Sequence, residues 1–151
     1  MSSKDIIDLL KVRVKEVFIP ETVIVIYVYG SILKGKIRSD SDVDIAMLPY
    51  HGVNALDRLK MISEIEGTFT SIFKKIGSDR EVSVLDMRGK YVSLQLLYKV
   101  ITEGKVLFEK DITQRIEFEN AVKREYFDFE GAVNPCQLRN MKCNNLCIRR
   151  S

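Results

Sequence analysis

Apolar positions follow two rhythms along the chain. Near the start, Ile6, Leu9, Leu10, Val14 and Val17 recur at helical spacing. This predicts a helix that Ser3 caps, with Asp5 in its first turn and Pro20 closing the segment. The run from Thr22 to Tyr29 is nearly continuous in Val and Ile, the signature of a strand buried on both faces. A second apolar strand, Asp42 to Leu48, ends at Pro49 and the turn-forming Tyr50-His51-Gly52. From Val53 to Ile76 the residues Leu56, Leu59, Ile62, Ile65, Phe69, Ile72 and Ile76 describe a long amphipathic helix containing Gly67. Glu81 to Met87 predicts a third strand, Val92 to Glu103 a helix stopped by Gly104, and Lys105 to Glu109 a short edge strand. The last helix is expected over Asp111 to Glu130, with Phe118, Val122, Tyr126 and Phe129 on one face, a core stripe or else a partner surface.

Between the first two strands lies the stretch with chemical character. The first strand empties into Gly30-Ser31, ten residues intervene, and Asp42 and Asp44 head the next strand. Without a Cβ, Gly30 lets a ligand approach the backbone, and Ser31 adds a hydroxyl beside amides freed at the start of a short helix, a setting that favours phosphate. Strand side chains alternate between faces, so Asp42 and Asp44 project to one side. Two carboxylates there repel each other, and a cation between them resolves the conflict. Hard oxygen ligands with open positions suit Mg²⁺, with nucleotide phosphates completing the shell. The implied chemistry is metal-assisted phosphoryl or nucleotidyl transfer. Lys34, Lys36 and Arg38 lie in the intervening loop, either holding a triphosphate or balancing the charge of Asp40, Asp42 and Asp44. Lys34 and Arg38 are the candidates taken forward for the nucleotide. His51, the one histidine, stands some 23 Å of extended chain from the aspartates and reads as a surface turn residue.

Composition narrows the field. At 151 residues the chain is one domain by length, and its 46% apolar and 30% charged content is that of an ordinary soluble protein. No apolar run reaches the roughly 20 residues needed to span a bilayer, and the N-terminus has no signal-type segment, so a cytoplasmic protein without a membrane association is expected. The formal net charge is +3, but four of the 24 basic residues and none of the 21 acids fall in residues 136–151, leaving the body at −1. A near-neutral body argues against a grip on long nucleic acid. Cys136, Cys143 and Cys147 all lie in that basic stretch without an acid or histidine beside them, which suits reduced thiols better than a zinc site. A domain over 1–131 followed by a loose tail over 132–151 is the expected division.

The spacing Gly30-Ser31, ten residues, Asp42-x-Asp44, after a clear strand, resembles the signature of the DNA polymerase β-like nucleotidyltransferase superfamily, and within it the minimal nucleotidyltransferase (MNT) branch. The likeness extends over residues 1 to about 130, through Gly104-Lys105-Val106-Leu107-Phe108 and the stretch ending Glu125-Tyr126-Phe127-Asp128-Phe129. The resemblance implies an α+β fold, a small mixed β-sheet backed by helices with the active site on its open face. It also implies an antitoxin that moves AMP from ATP to a tyrosine hydroxyl of a HEPN-family ribonuclease toxin, with Asp42 and Asp44 holding Mg²⁺ and Gly30 and Ser31 seating the phosphates. In the superfamily a third carboxylate on the next strand usually joins the pair. Laid over Val-Asp-x-x-Asp, the segment Glu81 to Asp86 puts Ser83 at that position, with Asp86 turned the other way and Glu81 on the Ser83 face. Catalytic transfer, neutralisation by binding alone, and transfer to a small molecule are therefore three separate readings.

Overall fold

The most buried element is the first strand, β1 (Val23–Tyr29), whose residues up to Val28 are inaccessible to solvent. Val, Ile and Tyr in sequence give it two apolar faces, so it can only occupy the middle of a sheet. In the computed structural model, which describes residues 3–17, 19–34 and 42–138, it does so. It pairs antiparallel with β2 (Val43–Pro49) on one side and with β4 (Lys105–Glu109) on the other. β3 (Val82–Asp86) joins β2 in parallel, giving the order β3-β2-β1-β4. A parallel pair requires a crossover, and α2 (Ala55–Lys75) supplies it between β2 and β3. The result is an α+β fold on a small mixed sheet, as expected.

Helices cover both faces. On one face α1 (Ser3–Arg13) and α2 set Ile6, Leu10, Ile65, Phe69 and Phe73 against Ile26, Val28, Ile45 and Met47. On the other, α3 (Leu94–Glu103) and α4 (Ile112–Leu138) cover Tyr27, Ala46 and Leu48 through Val100 and Phe118. The sheet therefore lacks the open face implied by the family resemblance. The apolar stripes of α3 and α4 need burial, and the Tyr27 side of β1 is where they find it. Local caps explain the helix starts: the side chain of Asn54 accepts the Asp57 amide at 2.8 Å, Ser93 accepts Leu96 at 3.1 Å, and Asp111 accepts Gln114 at 3.0 Å.

Three expectations need correction. Leu56 and Leu59 are exposed rather than on the core face of α2, because the inward line of that helix begins at Arg58, which pairs with Asp86 at 2.7 Å. Phe129 is exposed as well, lying beyond the part of α4 that contacts α3. The helix α4 continues past the expected end at Glu130 to Leu138. The tail beyond Leu138, with Cys143 and Cys147, lies outside the described residues.

One polar network ties α4 to the sheet. The Tyr27 hydroxyl, in a residue 1% exposed, donates to Glu119 of α4 at 2.5 Å. Glu119 also accepts from Arg115 at 3.0 Å, and Arg115 donates in turn to Glu109 at the end of β4. Burial and the Glu119 carboxylate push the Tyr27 phenol up, so it remains a donor throughout the accessible pH range. Removing a donor to a buried charged acceptor costs about 2 kcal/mol. Tyr27→Phe is accordingly expected to lower the unfolding free energy by that amount, read as a lower urea midpoint with an unchanged m-value, and an unaltered midpoint would show that the hydroxyl holds nothing.

Candidate active site

The pairing of the two central strands assembles the site. Tyr29 is the register partner of Asp44, and Asp44 is in turn the partner of Ser83 on β3. Partners across adjacent strands point the same way, so Tyr29, Asp44 and Ser83 form a row on the face shared with α3 and α4. Directly after Tyr29, Gly30 turns with φ +84° into a five-residue 3₁₀ helix, Gly30–Lys34. A Cβ on Gly30 would be driven into the Asp44 carboxylate oxygen. Glycine is thus required twice there, once for the left-handed backbone and once for the close approach of the acid.

The electrostatics of this corner are strained. Burial raises the Asp44 pKa from its ordinary value, the neighbouring Asp42 charge raises it further, and Lys99 of α3 pulls it back down. Burial and then Asp44 raise the Tyr29 phenol in the same way. Asp42 itself is exposed at the head of β2. Beside the acids opens a cavity of about 260 Å³ lined by Tyr29, Gly30, Leu33, Lys34, Lys99 and Glu103.

The sequence-predicted residues are therefore only partly gathered. Gly30 and Asp44 are in contact range, Asp42 acts on Asp44 through its charge, and Lys34 lines the cavity. Ser31 is exposed on the 3₁₀ turn, and Arg38 and Lys36 fall outside the described residues. His51 is exposed in its turn at the far end of β2. Missed by the sequence reading were Lys99 and Glu103, and the one signal for Lys99 was a charge beside the buried Val100 on an apolar stretch of helix.

The donor chemistry suits Mg²⁺. Asp42 and Asp44 offer hard carboxylate oxygens, and burial first, then the Asp42 charge, raise the proton affinity of Asp44, a burden that a cation there would ease. Among the described residues no group of three or more acids, histidines or cysteines converges, so a metal at the pair would take its remaining ligands from phosphate oxygens and water.

With this geometry established, the relatives can be placed. The model of the family described as polymerase beta, nucleotidyltransferase, matches residues 13–113. The chain belongs to that nucleotidyltransferase family. Among solved structures, a chain of a toxin–antitoxin complex with AMP-PNP is 22% identical, with 93% of this chain and 99% of that chain covered and a TM-score of 0.55. A chain of an MntA–HepT toxin–antitoxin complex is 19% identical over 92% of this chain and 96% of that one, TM-score 0.51. A chain of the complex between tri-AMPylated Shewanella oneidensis HEPN toxin and MNT antitoxin is 22% identical over 92% and 95%, TM-score 0.50. At these identities the likeness is one of fold. No curated protein sequence matches the chain.

In this nucleotidyltransferase the neighbourhood of a third acid is informative. Ser83 stands in register beside Asp44 and is exposed. Asp86 pairs in register with Met47 and engages Arg58 of α2, behind the sheet and away from the site. Glu81 lines a separate cavity with Glu66, Thr70 and Lys74 of α2.

Two outcomes follow from the crowding at Gly30. Gly30→Ala forces both strain at positive φ and a clash with Asp44, so it is expected to cost about 1–3 kcal/mol in stability and to abolish nucleotide binding. Chemical denaturation and calorimetry read both effects. Asp44 has a raised folded pKa, so in the metal-free protein its charge costs stability, and that cost grows as pH rises from the usual carboxylate value through the raised one. Asp44→Asn is therefore expected to raise the Tm of the metal-free protein at neutral pH. The gain should vanish below the usual carboxylate range, where Asp44 is protonated in both states.

Proposed function

We propose that this chain is an MNT-type antitoxin of the cytoplasm that transfers AMP from ATP to a hydroxyl, expected to be a tyrosine, of a cognate HEPN-family ribonuclease toxin. The observation that carries the reading is the Gly30–Asp44 contact within a family of nucleotidyltransferases. Support for the partner comes from the three similar complexes, all toxin–antitoxin assemblies, one with AMP-PNP and one with a tri-AMPylated HEPN toxin. Among the described residues no helix is long and apolar enough to cross a membrane.

The chain's own groups divide the work. Asp42 and Asp44 hold Mg²⁺, which when bound neutralises phosphate charge and makes the α-phosphorus more open to attack. Gly30 keeps the backbone low enough for the phosphates to lie along it, and Lys34, with Arg38 as a further candidate, supplies cationic donors. In the transfer the acceptor oxygen forms a bond to the α-phosphorus while the bond to the bridging oxygen of the β-phosphate breaks. The electron pair departs on pyrophosphate, and the hydroxyl proton passes to solvent. With Ser83 where a base is usual, β3 sets no carboxylate opposite Asp44 for that proton. The toxin gains a charged phosphate at a functional surface.

Ser83 also favours a second reading, neutralisation by contact alone. Intact mass spectrometry of both chains after incubation with ATP and Mg²⁺ separates the two. Addition of AMP to the partner, lost in Asp42→Asn, is the expected outcome. A stable complex with no added mass, and undiminished neutralisation by Asp42→Asn, would establish the binding mode instead.

A further inference from the structure

One wall of the cavity beside Gly30 comes from outside the Gly-Ser and Asp-x-Asp motif. α3 contributes Lys99 and Glu103, one helical turn apart, facing Tyr29, Gly30, Leu33 and Lys34. The placement of α3 is tightly fixed. Val100 is fully buried against the sheet, and the Gly104 amide closes the helix on the Val100 carbonyl at 2.9 Å. A Cβ on Gly104 would stand 3.2 Å from the Val28 carbonyl oxygen, so glycine brings the end of α3 down onto the end of β1. Lys99 is carried there on a rigid element rather than on a loop.

We propose that Lys99 is a triphosphate ligand, donating from its ammonium to non-bridging oxygens of the β- or γ-phosphate while Lys34 grips the same group from the opposite wall. The inference rests on the nucleotidyl-transfer reading and assigns to it a residue that the sequence motif does not contain. Three observations support it. Lys99 is half-buried at the cavity beside the acids, and its charge reaches Asp44. Yet among the described residues it closes no ion pair, with Asp44 or any other acid, so its three donors remain for a ligand. The charge inventory also calls for it. A metal–triphosphate is still anionic, and Asp42, Asp44 and Glu103 add negative charge around it, so a cation fixed on α3 improves the balance. As the bond between the α-phosphorus and the bridging oxygen breaks, charge accumulates on the departing pyrophosphate, and a cation fixed beside it stabilises that change.

The competing role is structural: Lys99 would merely temper the repulsion between Asp42 and Asp44. Calorimetric titration of the full chain with ATP, pyrophosphate and AMP in Mg²⁺, and with Mn²⁺ alone, distinguishes the two. Lys99→Met, which keeps the apolar stem, is expected to weaken ATP and pyrophosphate by roughly tenfold while AMP and Mn²⁺ change by less than about twofold. Lys99→Arg should return ATP affinity to within about threefold of the parent, because it restores the charge if not the shape. Equal weakening of AMP and ATP, a change in Mn²⁺ affinity without loss of ATP selectivity, or ATP binding by Lys99→Met at parental strength would each overturn the assignment. Should Lys99→Met fail to fold, Lys99→Gln answers the same question with a polar stem. A parent chain that binds neither ATP nor pyrophosphate would instead sink the nucleotidyl-transfer reading itself, an outcome visible before any variant is made.

Discussion

Everything in this molecule depends on the antiparallel pairing of β1 with β2, which sets Tyr29 opposite Asp44. That register places an acidic residue beside the end of a fully apolar strand, where the chain must turn away. Because the turn residue is Gly30, the carboxylate lies against bare backbone instead of a side chain. Slip the pairing by one residue and Asp44 crosses to the face of α1 and α2, among Ile26, Val28 and Phe69. The apolar alternation of β2 thus fixes the functional geometry as firmly as it fixes the core.

The price of that geometry is electrostatic. Asp44 is partly desolvated and sits near Asp42, so the metal-free protein carries a local penalty that a divalent cation relieves. Such sites are commonly less stable than the fold around them allows, and the remainder of the structure compensates with burial. Here the compensation lies close by. The Tyr27, Glu119, Arg115 and Glu109 network joins β1, α4 and β4 and anchors the middle of β1, two residues before Tyr29.

Much of this was legible in the sequence, for identifiable reasons. The four strands fall within about two residues of expectation because each is a short apolar run bounded by Gly, Pro or charge. Gly30, Asp42 and Asp44 were legible because their chemistry is local: one turn and one alternation place them. Lys99 was not. Its position depends on β4 returning to the free edge of β1 and on Gly104 allowing α3 to settle there, neither of which is encoded near residue 99. The closed second face was missed for a related reason, since helix stripes show that α3 and α4 need burial but not which side of the sheet provides it. Leu56 and Leu59 show the opposite error, apolar residues at helical spacing that the structure leaves exposed because Arg58 takes the inward line.

The covered face also bears on how an acceptor reaches the nucleotide. With α3 and α4 over Tyr27 and Ala46, the open approach to Asp44 runs past the Gly30 turn and the exposed Ser83 rather than across the sheet. On the proposed reading, a protein partner delivering a tyrosine would meet the rim of the sheet. Ser83, small and uncharged, leaves space at that rim where a carboxylate would add a third negative charge beside Asp44. On the proposed reading, the residue that stands where a general base is usual would also ease the seating of an anionic triphosphate beside Asp44. A transferase built in this way relies on positioning and electrostatics more than on proton abstraction, which is compatible with phosphoryl chemistry, where the transition state is loose and the attacking hydroxyl loses its proton late.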